Sequence, residues 1–375
     1  MCGAWHLRPA EGGRAYTRLY NAAMKSWDSI VIGGGIIGLS LALELRRHGA
    51  EVLVVERGEA GREASHAAAG MLAFCDPDTH PFLQDFCFAS ARLYPEYVKR
   101  IEAVSGLEVD LRHEGTIAFL SEEEAARCAT GRELSAGEVQ KMEAGLASPS
   151  LRAFYLPEAS VDNRALVGAA LEACRQRGVH LVTGVEVTSI EVEQGRACGV
   201  RTAKKQYRGA VVVNCAGAWA GRVSPEVVPT RPRKGQMLAV STERPLLEHV
   251  VRTSEVYLVP RSDGRILIGA TVEDAGFDKQ VSSATIGRLH EQGARVLPEL
   301  ARAGVHEAWA GLRPGTPDDL PILGATALPG YFAATGHFRN GILLAPITAQ
   351  VMAELVRGQA PSFDLAAFSP LRFRT

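Results

Sequence analysis

The sequence predicts a mixed α/β fold in which a parallel-sheet domain, assembled from separate stretches of chain, carries an inserted antiparallel-sheet domain. Three observations lead there. An apolar strand over 30–32 runs into Gly33-Gly34-Gly35-Ile36-Ile37-Gly38, then a helical pattern with Leu39, Leu43 and Leu45, then a second apolar strand ending on Glu56. The middle of the chain is rich in strand patterns that alternate with period two. The last part returns to strand, glycine loop and helix, and no repeat or low-complexity linker separates the parts.

Each part of the first motif has a physical task, and together they read as the opening of a Rossmann-like dinucleotide-binding unit. Gly33 makes the tight turn, Gly35 lets backbone amides approach a pyrophosphate, and Gly38 lets the helix pack on the strand. The helix N-terminus favours the phosphate charge. Glu56, 18 residues beyond Gly38, is placed to accept hydrogen bonds from a ribose hydroxyl.

Ahead of this motif, Arg8, Arg14, Arg18 and Lys25 face only Glu11, and no apolar core of a secretory signal follows them. Residues 1–26 are expected to be a disordered extension, with Met24 as the physiological start.

After Glu56, Ser65-His66-Ala67-Ala68-Ala69-Gly70-Met71 is a block of small residues that permits close approach of a ligand. Helices are predicted over 83–104, 121–128 and 137–142, with a strand over 114–120 between the first two. Asp162 or Asn163 caps a helix over 166–177 that ends at Gly178. Strands follow over 179–192, 197–202 and 206–214, the last breaking into Ala216-Gly217-Ala218-Trp219 where backbone passes something closely. A second strand-rich region covers 229–240, 247–251, 256–260 and 265–270. A helix over 286–297, strands over 306–311 and 331–335, a loop over 336–341 and a helix over 342–356 complete the chain.

Composition narrows the function. The net charge is −1, with 46% hydrophobic and 22% charged residues, which gives no electrostatic reason to expect a nucleic-acid or membrane partner. Seven scattered cysteines without a CxxC pair argue against a zinc site or a disulfide framework and suit a reducing cytoplasm. Cys174 and Cys215 read as small buried residues. No triad or metal spacing links His66, His113, His306 and His337, so no residue is assigned as a catalytic acid, base or nucleophile.

The glycine loop with Glu56, the 65–71 block, the 214–219 turn, Tyr257-Leu-Val-Pro-Arg261, Ala310-Gly-Leu-Arg313-Pro-Gly-Thr316 and Gly336-His-Phe-Arg339-Asn-Gly341 together resemble the glycine oxidase family. That family belongs with the D-amino-acid and sarcosine oxidase-like flavoproteins. The resemblance covers nearly everything from about residue 26 to 360. It implies FAD, with an antiparallel sheet roofing the flavin. The implied FAD-binding domain comprises 27–80, 150–220 and 305–360, and the substrate-binding domain 81–149 and 221–304. Implied cofactor contacts are Gly33, Gly35, Ile36, Ile37, Gly38, Glu56, Arg57, Ser65, Ala68, Ala69, Gly70, Met71, Val187, Ala216, Gly217, Trp219, His337, Phe338, Asn340, Gly341 and Ile342.

Arg313, read as lying in a stiff Gly- and Pro-bounded turn just after a strand, has a planar fork that matches a carboxylate. The resemblance assigns Arg313 to the substrate carboxylate, with Tyr257 and Arg339 as further contacts. It implies oxidative deamination of glycine, other small amines or D-amino acids to the imine, with dioxygen reduced to hydrogen peroxide. The dehydroglycine formed feeds thiamine thiazole synthesis, which makes a thiazole synthase a candidate partner. A homo-oligomer is expected. His66 is set one residue off the position used for covalent attachment in related enzymes, and no cysteine lies beyond Cys215, so FAD is expected to be non-covalent. The alternatives are a sarcosine or D-amino-acid oxidase or dehydrogenase, and a non-catalytic FAD-binding protein.

Overall fold

The computed structural model describes residues 25–147 and 151–374, so the expected extension lies outside the described residues up to Met24. Ser26 already belongs to the first strand. Ser26–Ile32 is central in an eight-stranded sheet, parallel to Val52–Val55 on one side and to Gln206–Asn214 on the other. Ile30 lies opposite both Leu53 and Val212. His180–Val182 extends the sheet beyond Val52–Val55, while the far half of Gln206–Asn214 pairs in parallel with Tyr331–Thr335. The stretches 30–32, 52–55 and 212–213 are buried on both faces, and this is why they read as continuous apolar runs rather than alternating ones.

Helices Ile36–Arg47, Pro81–Ser105, Asn163–Gln176 and Ala345–Val356 cover one face, burying Leu39, Leu45, Phe86, Leu166 and Val351 against Val31 and Val54. The antiparallel strands Val187–Glu193 and Arg196–Thr202 continue the same sheet beyond Gln206–Asn214, and their Ile190, Ala197 and Val200 join a second core cluster with Ile30, Leu53 and Tyr331. From the long helix Pro81–Ser105, the Ser90 hydroxyl donates to the Leu343 carbonyl at 2.6 Å and the Tyr94 hydroxyl to the Ile342 carbonyl at 2.9 Å. The glycine loop near the C-terminus is thereby anchored.

A second eight-stranded sheet runs in the order Val305–Gly315, Arg231–Ser241, Arg265–Gly269, Tyr257–Pro260, Val250–Arg252, Thr116–Leu120, Arg152–Leu156, Arg132–Leu134. All its pairings are antiparallel except that of Val250–Arg252 with Thr116–Leu120. Helix Ser283–Val296 packs Ile286 and Leu289 onto Leu238, Leu258 and Ile268. A small sheet of Met71–Leu72, Ala159–Val161 and Leu111–Arg112 lies between the two bodies in the chain path.

Sheet and core membership differ from the expected division of the chain in three places. Helix Pro81–Ser105, expected in the substrate domain, contributes Phe86, Tyr94 and Ile101 to the core under the first sheet. Strands Arg152–Leu156 and Val305–Gly315, expected in the FAD-binding domain, belong to the second sheet. The single strand expected over 179–192 is two, His180–Val182 and Val187–Glu193, split around Gly184 at φ +70°. The last helix begins at Ala345 because residues 341–344 form turns. Strands as short as Met71–Leu72, Arg132–Leu134 and Ile322–Ala325 display too few alternations to be seen in a sequence.

His337 ties the C-terminal glycine loop to the last helix. Its ring Nε2 lies 3.1 Å from the Thr348 hydroxyl, and burial pushes its pKa from 6.5 down to about 3. Between those values the unfolded chain binds a proton that the folded chain excludes, so stability falls as pH falls below 6.5. His337→Gln keeps a polar partner for Thr348 and removes the titration. It is expected to reduce the stability lost between pH 7 and 5 by about 2 kcal/mol, read from urea unfolding at each pH.

Candidate active site

A cleft runs from the C-terminal ends of the first sheet's parallel strands to the second sheet. At the strand ends, Gly33 turns the chain at φ +102°, and a Cβ there would stand 2.5 Å from the Cys215 carbonyl oxygen. A Cβ on Gly38 would meet the Gly33 carbonyl at 2.0 Å, so only glycine lets the helix start this close to the strand. Gly35 is the N-cap of helix Ile36–Arg47 and supplies no side chain to cap it. The Ile36 amide donates to the Ser65 hydroxyl at 3.0 Å. The helix end thus presents its positive pole to the cleft without an acid in its first turn.

Glu56 is buried, and both its oxygens are already oriented. Oε2 accepts from the Gly34 amide and Oε1 from the Gly58 amide, each at 2.8 Å. A carboxylate has about four lone-pair sites, so two remain for a ligand hydroxyl. Arg57 lies over the Trp219 ring at 3.9 Å, giving a flat cationic-aromatic wall at this end. The donor set and the glycine cradle fit an adenine dinucleotide.

The small-residue block forms one wall. Ser65, Ala67, Ala68, Ala69, Gly70 and Met71 line the cleft. A Cβ on Gly70, at φ +74°, would sit 1.9 Å from the Val161 carbonyl. His66 does not line the cleft; its Nε2 lies 2.9 Å from Arg62 Nη1 on the outer side.

The other end is built on rows that cross the second sheet. Tyr257 pairs with Gly269, and Gly269 with Met237; two residues along, Gly235 pairs with Gly311, and Arg233 with Arg313 two further. Residues directly opposite share a face, so these side chains converge. The glycines make room for the functional groups. A Cβ on Gly235 would lie 2.1 Å from Arg313 Nη1, and one on Gly269 would lie 2.8 Å from the Tyr257 ring.

Arg313 Nη1 donates to the Thr271 carbonyl at 3.0 Å, and the Tyr257 hydroxyl contacts Met237 Sδ at 3.5 Å. Burial lowers the pKa of the Arg313 guanidinium, Arg339 and Arg233 lower it further, and Tyr257 acts in the opposite direction. Burial raises the Tyr257 pKa, against the pull of Arg313 and Arg339. The phenol is therefore a proton donor at neutral pH, and this end of the cleft has a concentration of positive charge that an anion would relieve.

The sequence-predicted residues come together, with one instructive exception: all of them line the cleft except Gly38, which sits behind it against Gly33. The expected setting of Arg313 is corrected. It lies inside strand Val305–Gly315 and not in a turn, because this is an edge strand, where Pro314 breaks no ladder. Arg339 stands in the loop, exposed at the cleft. Sequence reasoning missed Gly235, Met237, Gly311 and Asp76, which also line it. The two glycines carried a signal, since glycine inside a strand pattern marks a close approach; Asp76 carried none.

Such a cleft, with a phosphate-binding turn at one end and a half-buried arginine at the other, defines a flavin-dependent oxidoreductase fold. The chain belongs to the FAD dependent oxidoreductase family, whose pattern it matches over residues 28–355. It is 37% identical over 347 residues to the bifunctional protein ThiO/ThiG of a Nostoc species, covering 88% of this chain and 52% of that protein. It is 34% identical to the glycine oxidase of Pseudomonas aeruginosa, covering 91% of this chain and 98% of that one. The chain spans about half the length of the bifunctional relatives it matches. Its fold superposes with a TM-score of 0.88 on the crystal structure of glycine oxidase from Geobacillus kaustophilus, at 32% identity, over 93% of this chain and 100% of the other. Among the described residues, no helix is long and apolar enough to cross a membrane.

Gly235→Ala tests the lodging of Arg313. The variant is expected to fold and to bind FAD, yet to bind acetate about 10-fold more weakly, because the added methyl displaces the guanidinium. Titration of the bound-flavin spectrum with acetate measures it, and unchanged affinity would remove Arg313 from the carboxylate site.

Proposed function

We propose that this chain carries out the FAD-dependent oxidative deamination of glycine, and of other small amines or D-amino acids, to the imine. The observation that supports this best is the single cleft joining the glycine turn and Glu56 to the Tyr257–Arg313 row. Gly33, Gly35, Ile36, Ile37 and Glu56 would hold the nucleotide half of FAD; Ser65, Ala68, Ala69, Gly70, Met71 and the 337–342 loop would flank the flavin. When bound, FAD supplies the acceptor for two electrons from the α-carbon and passes them to dioxygen, giving hydrogen peroxide.

The chain's own contribution is positioning and charge. Arg313 presents its fork to the substrate carboxylate, Tyr257 donates its hydroxyl to the same group, and Arg339 adds a second cation at the mouth. The apolar walls around Met71 and Met237 exclude water, which strengthens these contacts. In this reading the substrate's own neutral amine pushes electrons as the α-hydrogen leaves with its electron pair. The outward position of His66 supports non-covalent FAD, and six free cysteines among the described residues accord with a reducing cytoplasm. The relatives in which ThiO is fused to ThiG support delivery of the imine to a thiazole synthase before water hydrolyses it.

The purified protein is expected to be yellow and to release intact FAD on acid precipitation; flavin kept on the denatured chain would overturn the non-covalent reading. Arg313→Ala is expected to retain FAD and lose about 2–4 kcal/mol of transition-state binding, roughly 30- to 1,000-fold in kcat/KM for glycine. Arg313→Lys should recover only part of this. A peroxide assay across glycine, sarcosine, D-alanine and D-proline ranks the substrates, and near-normal glycine turnover by Arg313→Ala would place the carboxylate elsewhere.

A further inference from the structure

The cleft wall at 65–71 is held from behind by side chains that never enter the cleft. Asn163 donates from Nδ2 to the carbonyls of Ser65 at 2.8 Å and His66 at 3.1 Å. Trp309 Nε1 donates to the Ala67 carbonyl at 3.1 Å, and the Val161 amide to the Gly70 carbonyl at 2.8 Å. The Ala69 carbonyl is taken by Arg261, whose Nη2 lies 2.7 Å away and also donates to Asn163 Oδ1 at 3.1 Å. Arg261 and Asn163 are almost completely buried, at 5% and 1% exposure.

Arg261 is itself fixed. It directly follows the strand Tyr257–Pro260, its amide donates to the Arg265 carbonyl, and its own carbonyl accepts from the Gly264 amide. Its Nε is 3.9 Å from Asp162, the residue that caps helix Asn163–Gln176. One buried cation therefore connects the strand of Tyr257, the helix under the first sheet and the cleft wall.

A trans peptide is planar, with N–H and C=O pointing in opposite directions. A donor that draws the Ala69 carbonyl out of the cleft therefore turns the Gly70 N–H inward. The Trp309 contact does the same for the Ala68 N–H. We propose that Arg261 is a positioning residue that aims the Gly70 amide at the flavin and fixes the spacing between this wall and Tyr257. This rests on the FAD reading given above. A fixed amide donor facing an electron-accepting ring stabilises the charge that develops there and costs no reorganisation during the reaction.

The test compares wild type with Arg261→Met, which fills the same volume without a donor, and Arg261→Lys, which restores the charge and a single donor. Hydrogen exchange of the 65–71 segment is measured with and without FAD, alongside the visible spectrum and reduction potential of the bound flavin. In Arg261→Met the segment is expected to exchange at least about 10-fold faster in both states. The flavin bands should shift, the potential should fall, and kcat should drop about 10-fold with KM changed less than about 2-fold. Arg261→Lys should lie between, and it decides the matter if the Met variant fails to fold. Holoenzyme variants with wild-type exchange, spectrum and kcat would overturn the proposal. A wild-type protein that takes up no FAD would instead overturn the functional reading, while the exchange contrast without FAD would still show whether Arg261 holds the wall.

Discussion

Parallel pairing of Ser26–Ile32 between two neighbours is the constraint from which the site follows. It brings three strand ends to one edge, where the Gly33 amide donates to the Val55 carbonyl, the Cys215 amide to the Ile32 carbonyl and the Glu56 amide to the Val182 carbonyl. Glycine turn, acid and Ala216-Gly217 bend are therefore neighbours by topology. This is the general site of ligand binding in open α/β sheets, outside the carboxyl ends of the strands.

The opposite end obeys a different logic, in which absence of side chain does the work. Strands that carry glycine at 235, 269 and 311 lower the floor of the second sheet locally. Tyr257 lies across Gly269 and Arg313 across Gly235, with ring and guanidinium over bare backbone, while Gly311 admits the Ala67 methyl of the cleft wall. A guanidinium partly removed from water is less favourable until an anion arrives, and that is a source of affinity for a carboxylate.

Much of this was legible in the sequence because the first motif is local. Gly33 to Glu56 is one continuous strand–turn–helix–strand unit whose spacing carries its geometry. Arg313, Tyr257 and Arg339 lie far apart in sequence, and only their resemblance to a known pattern grouped them. Pro314 suggested the end of a strand, but an edge strand tolerates a residue without an N–H, so Arg313 stayed in the sheet. The role of Arg261 was not readable at all, since its partners are backbone carbonyls that every residue possesses. Sheet membership failed for Arg152–Leu156 for a similar reason: five residues alternate in the same way whichever sheet they join.

The way the chain threads between the two sheets has a mechanical consequence. Only residues 157–162 separate the second-sheet strand Arg152–Leu156 from the first-layer helix Asn163–Gln176, and within them Ala159–Val161 is itself hydrogen-bonded in the small sheet. This connector spans only about 20 Å when fully extended, which bounds how far the strand and the helix it joins can separate.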